Sequence, residues 1–138
     1  MAELVVKAAD ANLDSVLEFV HSQMEKYESS PKTTMQMDLA IEEIFVNIAH
    51  YAYQPEQGDV KIVCQTGEDS GQPVIKIEFS DSGTAFNPLA KEDPDVTLGI
   101  EERGIGGLGI FLVKKYMDIV SYERKGNLNV FTMSKKLV

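Results

Sequence analysis

Apolar residues recur with two different periods along this chain, and the periods divide it into helices and strands. In the N-terminal part they recur every three or four positions, which predicts two helices with one buried face each. The first is expected to run from a cap at Asp10 or Asn12 to about Tyr27, and the second from about Pro31 to about Tyr53. The two apolar stripes are Leu13, Val16, Leu17, Val20, Met24 and Tyr27, and Met37, Ile41, Ile44, Ile48 and Tyr51.

Alternation with a period of two predicts strands elsewhere. The predicted strands are 3–9, 59–66, 73–80, 118–124 and 128–136, with a turn from Gly67 to Gly71 and a third helix from about Leu108 to Met117. The segment 81–107 has no clear period, and such a long stretch inside a compact domain is usually functional. The element order predicts an α+β fold, a two-layer sandwich with helices on one face of a mixed, mostly antiparallel sheet.

Composition limits the ligands that the chain can bind. With 138 residues, 43% of them hydrophobic, a single domain over residues 1–138 is expected. The formal net charge of −9 argues against direct binding to nucleic acid, whereas binding of a mononucleotide remains possible.

Three features of the sequence favour a cytoplasmic protein without membrane contact. They are the lone Cys64, the charged N-terminus and the lack of a run of about 20 apolar residues.

Two polar residues of the second predicted helix are candidates for chemistry. Glu43 and Asn47 are four positions apart, so they lie on the same side of the helix, next to its apolar stripe. A carboxylate and a carboxamide at the edge of a core suit a general base and an oxygen ligand for Mg²⁺. The alternative is a partly exposed helix edge.

The motif Asp81-Ser82-Gly83 ends a predicted strand. The period of two places Asp81 on the apolar face of that strand, where a carboxylate needs a hydrogen-bond donor. An adenine amino group is such a donor, and Gly83 would let the backbone pass close to a flat base. A turn at the end of the strand is the alternative.

A glycine-rich run precedes the third predicted helix. Its residues are Arg103, Gly104, Gly106, Gly107, Leu108 and Gly109, with Ile105 among them. Glycines permit close approach of a ligand, and the N-terminus of the helix offers unpaired N–H groups to phosphate. A flexible hinge is the alternative. The run lacks the Lys-Ser/Thr that completes a Walker A loop.

The order of these motifs resembles the N, G1 and G2 boxes of the GHKL (Bergerat-fold) ATPases. Within that superfamily, the run 40–47, the run 81–88 and the run 107–118 are similar to those of the stand-alone anti-sigma-factor serine/threonine kinases. The resemblance implies ATP and Mg²⁺ as ligands, with Glu43 as general base, Asn47 as Mg²⁺ ligand and Asp81 at adenine.

The same resemblance implies phosphate contacts and partners. Gly106, Gly107 and Gly109 would lie at the phosphates, and Arg103 matches a position used for partner contact or phosphate charge. The family often carries a threonine in its last strands, for which Asn129 and Thr132 both remain candidates here. The family's acceptor is a serine of an anti-anti-sigma (STAS-domain) protein, and its sequestered partner is a sigma factor.

The resemblance therefore predicts a kinase that phosphorylates or sequesters a regulatory protein, with the segment 84–105 closing as a lid. A homodimer is compatible with this interpretation. The competing hypothesis is a nucleotide-dependent interaction module with little or no phosphotransfer.

Overall fold

The computed structural model describes residues 1–53, 58–90 and 107–137, without the side chains of residues 107 and 108. The strands in these ranges are β1 (Ala2–Lys7), β2 (Asp59–Asp69), β3 (Gln72–Asp81), β4 (Ile119–Lys125) and β5 (Leu128–Lys136). The α-helices are α1 (Leu13–Met24), α2 (Pro31–Asn47) and α3 (Gly107–Tyr116). Short 3₁₀ turns lie at Asp10–Asn12 and Pro88–Ala90, and a π-helical turn lies at Ile48–Ala52.

The strands form one sheet in the order β1-β2-β3-β5-β4, and each neighbouring pair in it is antiparallel. Along β2, Ile62 and Cys64 are buried while Lys61 and Gln65 are exposed, so one face of the sheet points into the core. The helices supply the other half of that core, for example with the fully buried Phe45. The predicted two-layer α+β fold is confirmed.

The first helix begins after Asn12, one of the two predicted cap positions, but it ends before the predicted Tyr27. Residues 10–12 form a 3₁₀ turn, and the Asn12 side chain donates to the Lys7 carbonyl over 2.9 Å instead of capping the helix. At the other end, the Tyr27 N–H bonds to the Met24 carbonyl over 2.9 Å, and the α-helix has already ended at Met24. The start of α2 at Pro31 is confirmed, with the Ser30 hydroxyl accepting from the Thr33 N–H over 3.1 Å.

The turn between β2 and β3 is shorter than predicted. Ser70 and Gly71 both have positive φ angles, 54° and 80°. This pattern is typical of a two-residue turn that matches the twist of the flanking strands. The strands therefore continue to Asp69 and begin again at Gln72, and the five-residue turn was wrong.

The second helix ends close to the predicted Tyr53, but its last turn is π-helical. The α-helix ends at Asn47 and continues as the π-helical turn, which is a frequent feature of functional sites. The Ala52 carbonyl at the end of that turn accepts a hydrogen bond from the Thr84 N–H over 2.9 Å. This contact joins the end of the helix to the segment that follows β3. No helix in the described part of the chain is long and apolar enough to cross a bilayer.

Candidate functional site

A small pocket lies where α2 and its π-helical turn approach the ends of β3, β4 and β5. Its lining residues are Ile44, Asn47, Ile48, Ala52, Asp81, Phe86, Pro88, Tyr122, Asn129 and Phe131. The free space is about 20 Å³, which holds about one water molecule. A planar base can reach the bottom of the pocket only if part of the wall moves outward.

Asp81 lies at the bottom of this pocket and is only 3% exposed. Its Oδ1 accepts hydrogen bonds from the Gly83 N–H over 3.0 Å and from the Asn129 side-chain amide over 2.9 Å. Within the described ranges, no residue donates to Oδ2. Burial raises the pKa of this carboxyl, while the bonds from Asn129 and Gly83 and the charge of Arg124 act in the opposite direction. Asp81 therefore presents one open acceptor atom in an apolar surrounding.

Asn129 holds Asp81 from the neighbouring strand. The two residues are direct partners in the β3–β5 register, and the Asn129 Nδ2 also donates to the Thr84 carbonyl over 2.9 Å. The Asn129 Oδ1 accepts from the Phe86 N–H over 3.2 Å, the Tyr122 hydroxyl over 2.5 Å and the Arg124 Nη1 over 3.1 Å. Both polar ends of this amide are therefore satisfied.

Gly83 passes close to the end of the π-helical turn. A Cβ atom built on it would lie 2.4 Å from the Ala52 carbonyl oxygen, so the position requires glycine unless the backbone shifts. The Gly83 carbonyl accepts from the Arg124 Nη1 over 2.9 Å. Further along, the ring of Phe86 stacks on that of Tyr51, with centroids 5.3 Å apart. The segment after β3 is thus attached to both layers of the fold.

Glu43 and Asn47 lie on the half-buried side of α2 that faces this region. Asn47 lines the pocket, and Glu43, one helical turn earlier, contacts α3. A Cβ atom on Gly109 would lie 2.0 Å from the Glu43 Oε2. Burial raises the pKa of the Glu43 carboxyl, and the neighbouring charge of Glu42 raises it further. Within the described ranges, no residue donates a hydrogen bond to this carboxylate.

The predicted phosphate loop is only partly described. Arg103, Gly104 and Gly106 lie outside the described residues, as does much of the predicted lid. Gly107, Leu108 and Gly109 form the first turn of α3. The positive end of a helix dipole lies at such a turn, which is favourable for an anion. The structure thus brings the described end of the loop, at Gly109, to Glu43.

The two candidates in the last strand occupy different faces of the sheet. Asn129 is buried beside Asp81, whereas Thr132 pairs with Glu78 in β3 and Ser121 in β4. Because side chains alternate along a strand, Thr132 points away from the face that carries Asn129 and Phe131. Thr132 is therefore not brought to the pocket, and Asn129 is.

A preformed metal centre is not seen in the described ranges. No group of three or more His, Cys, Asp or Glu side chains there is placed to hold an ion. Mg²⁺ commonly keeps several waters and binds through one or two protein oxygens together with substrate phosphates. Asn47, whose side chain makes no hydrogen bond to a described residue, is one candidate oxygen ligand in this region.

Comparison with protein families decides the classification. Residues 6–135 match the family described as the histidine kinase-like ATPase domain. The chain belongs to this family. The resemblance to GHKL ATPases inferred from the three motifs is confirmed.

Individual relatives are protein kinases. Over 86 residues the chain is 33% identical to the serine-protein kinase RsbW of Bacillus cereus strain AH187, a match that covers 59% of this chain and 51% of that kinase. Over 105 residues it is 24% identical to the serine/threonine-protein kinase BtrW of Bordetella bronchiseptica, covering 76% and 72% of the two chains. The chain thus matches about half the length of the RsbW relatives.

Solved structures share the fold. The chain aligns with one in the SiaB–SiaC complex of Pseudomonas aeruginosa at a TM-score of 0.57 and 14% identity, over 96% of this chain and 89% of that one. It also aligns with the histidine kinase domain of the blue-light activated kinase of Erythrobacter litoralis at a TM-score of 0.53 and 12% identity, over 93% and 60%. These neighbours agree with the two-layer fold.

Sequence reasoning missed two side chains of the site. Tyr122 lies on the inner face of β4, and Arg124 is the direct partner of Asn129 in the β4–β5 register. The alternation of β4 was enough to place Tyr122 toward the helices. The same alternation places Arg124 on that face, but an exposed charged residue near the end of the strand gives no sign of a role in the site.

Proposed function

We propose that this chain binds ATP with Mg²⁺ between α2, α3 and the strands β3 to β5. The observation that carries the proposal is the buried carboxylate of Asp81, whose Oδ1 is satisfied and whose Oδ2 is open. The 6-amino group of adenine is a donor of the required kind. The side chains of Ile44 and Ile48 supply apolar walls for a flat ring.

The neighbouring residues fit the rest of such a ligand. Asn47 would hold Mg²⁺, and the first turn of α3 at Gly107 to Gly109 would receive phosphate oxygens. The metal ion would offset negative charge on the transferring phosphoryl group. Gly109 supports this fit because a side chain there would collide with Glu43, so glycine lets the Glu43 carboxylate lie against the first turn of α3.

Glu43 is the proposed general base. Its carboxylate is half-buried, its pKa is raised, and within the described ranges no residue donates to it, so it is a stronger base than an ordinary carboxylate and has no competing hydrogen bond there. Glu43 takes the proton of an acceptor hydroxyl as the hydroxyl oxygen bonds to the γ-phosphorus. The bond from that phosphorus to the β–γ bridging oxygen breaks, and ADP leaves.

The proposed acceptor is a serine or threonine of a regulatory protein. The relatives named serine-protein kinase RsbW and serine/threonine-protein kinase BtrW support phosphotransfer to protein hydroxyl groups. By resemblance to the anti-sigma-factor kinases, we propose a STAS-domain protein as the acceptor and a sigma factor as the sequestered partner, both in the cytoplasm.

Incubation with γ-labelled ATP, Mg²⁺ and a STAS-domain protein encoded beside this chain tests the proposal. We expect label on a serine or threonine of the STAS protein, and a 10²- to 10⁴-fold slower transfer by Glu43→Gln, as is typical for loss of acid–base catalysis. ATP-dependent complex formation without label would favour the nucleotide-dependent interaction module. If neither transfer nor complex formation occurs, the STAS partner class is wrong.

A further inference from the structure

The orientation of Asn129 is set by donors from two separate parts of the chain. Tyr122 and Arg124 donate to its Oδ1 from β4, and the Phe86 N–H donates from the segment after β3. An amide nitrogen cannot accept from an N–H group, so a flipped side chain would lose the bonds from Phe86 and Arg124, whereas the Tyr122 hydroxyl could rotate and accept instead. The Nδ2 is therefore directed to the Asp81 Oδ1 and the Thr84 carbonyl.

This orientation decides which atom Asp81 offers to a ligand. With Oδ1 occupied by Asn129 and Gly83, Oδ2 is the acceptor left for a base. A 6-amino group can donate to it, whereas a 6-keto oxygen would face a carboxylate oxygen without a donor between them. Burial of Asp81 makes such an unpaired contact costly.

The three donors are not equivalent when a base enters. Phe86 lies outside the helices and strands and forms part of the pocket wall, so it belongs to the part that can move outward. Such a movement would break its N–H bond to Asn129. Tyr122 and Arg124 remain, because they lie on a paired strand. Arg124 also fixes the turn after Asp81, since it donates to the Gly83 carbonyl.

We propose that Arg124, assisted by Tyr122, is a positioning residue that sets the choice of base at this site. It keeps Asn129 donating to Asp81, and Asp81 then accepts a 6-amino group and rejects a 6-keto group. The proposal rests on the proposed nucleotide site, and adds a residue that lies outside the three motifs.

The test compares Arg124→Met with Lys125→Met. Both residues are exposed on β4 and both changes remove one positive charge, but the Lys125 Nζ lies 3.7 Å from the Glu123 Oε2, and only Arg124 of the two donates to Asn129 and Gly83. Calorimetry with ATP and with inosine triphosphate gives a ratio of affinities, in which the effect of charge on the shared triphosphate cancels. We expect Arg124→Met to lower the ATP preference about 5- to 10-fold, the range for one lost hydrogen bond, and Lys125→Met to leave it unchanged.

Tyr122→Phe is a second variant that removes only the hydroxyl group. We expect it to lower the ATP preference about 2- to 5-fold. If Arg124→Met and Lys125→Met prefer ATP over inosine triphosphate to the same extent, Arg124 has no positioning role, even if the parent strongly prefers ATP. If Arg124→Met does not fold, an unchanged preference in Tyr122→Phe overturns it. A parent that binds both nucleotides equally would instead remove the proposed base site itself.

Discussion

Asp81 and Asn129 face each other across β3 and β5, and the Asn129 amide donates to the Asp81 Oδ1 over 2.9 Å. In the described part of the chain, these two are the buried polar side chains. A buried carboxylate is costly unless it is well bonded, and here the fold satisfies one oxygen and leaves the other open. Such an arrangement lowers stability and is therefore more consistent with ligand binding than with packing alone.

Glu43 should make stability depend on pH. Its pKa is raised in the folded state, so its contribution to stability is complete at a pH below the ordinary carboxyl range and is lost as the pH rises through the folded pKa. Glu43→Gln removes this loss. We expect the free energy of unfolding of the variant to increase relative to that of the parent from about pH 4, below the ordinary carboxyl pKa of 4.5, to about pH 7.

Urea denaturation at the two pH values measures this difference. Glu18→Gln is the matched control, because Glu18 is an exposed residue of α1 and the change removes the same charge. A difference between Glu43→Gln and the parent that is the same at both pH values would contradict the assigned cause.

Asn47→Ala should weaken binding of ATP only when Mg²⁺ is present. The change removes the proposed oxygen ligand of the ion but no described hydrogen bond. We expect weaker binding in calorimetry with Mg²⁺ and affinity equal to that of the parent in the presence of a chelator. An equal loss under both conditions would mean that Asn47 contacts the nucleotide itself or shapes the pocket.

Gly109→Ala should slow phosphotransfer without unfolding the chain. The new Cβ would lie 2.0 Å from the Glu43 Oε2, which is the end of a flexible side chain and can move away. Glu43, the proposed general base, is then displaced from its position at the start of α3. We expect a large loss of transfer rate and a small change in melting temperature.

Gly67→Ala is the control for this variant, since a Cβ there meets no atom within 4 Å. Parent-like transfer by Gly109→Ala would show that the observed contact between Glu43 and α3 has no role in the reaction.

The sequence predicted the architecture because its periods are local signals. Alternation from Ile75 to Phe79 was enough to place Asp81 on the inner face of β3, where the structure has it. Helical spacing likewise placed Glu43 and Asn47 on the same side of α2. These features depend on residues close in sequence, so periodicity captures them.

The remaining features depend on contacts between distant parts of the chain. The spacing of Ile48 and Tyr51 does not distinguish a π-helical turn from an α-helix. In the structure, the end of the π-helical turn packs against Gly83 and Thr84, which are distant in sequence. Deciding which of Asn129 and Thr132 lies beside Asp81 required the register between β3 and β5. A shift of β5 by one residue would exchange the side chains on its inner and outer faces.

Calorimetric titration with ATP and GTP in the presence of Mg²⁺ tests the central claim most directly. We expect the parent to bind ATP and to bind GTP poorly, because the Asp81 Oδ2 would accept a hydrogen bond from the 6-amino group of adenine. Asp81→Asn should weaken ATP binding by about 1.5–3 kcal/mol, the range for a hydrogen bond to a charged group. Equal affinity of the parent for ATP and GTP, or ATP affinity unchanged by Asp81→Asn, would contradict the account.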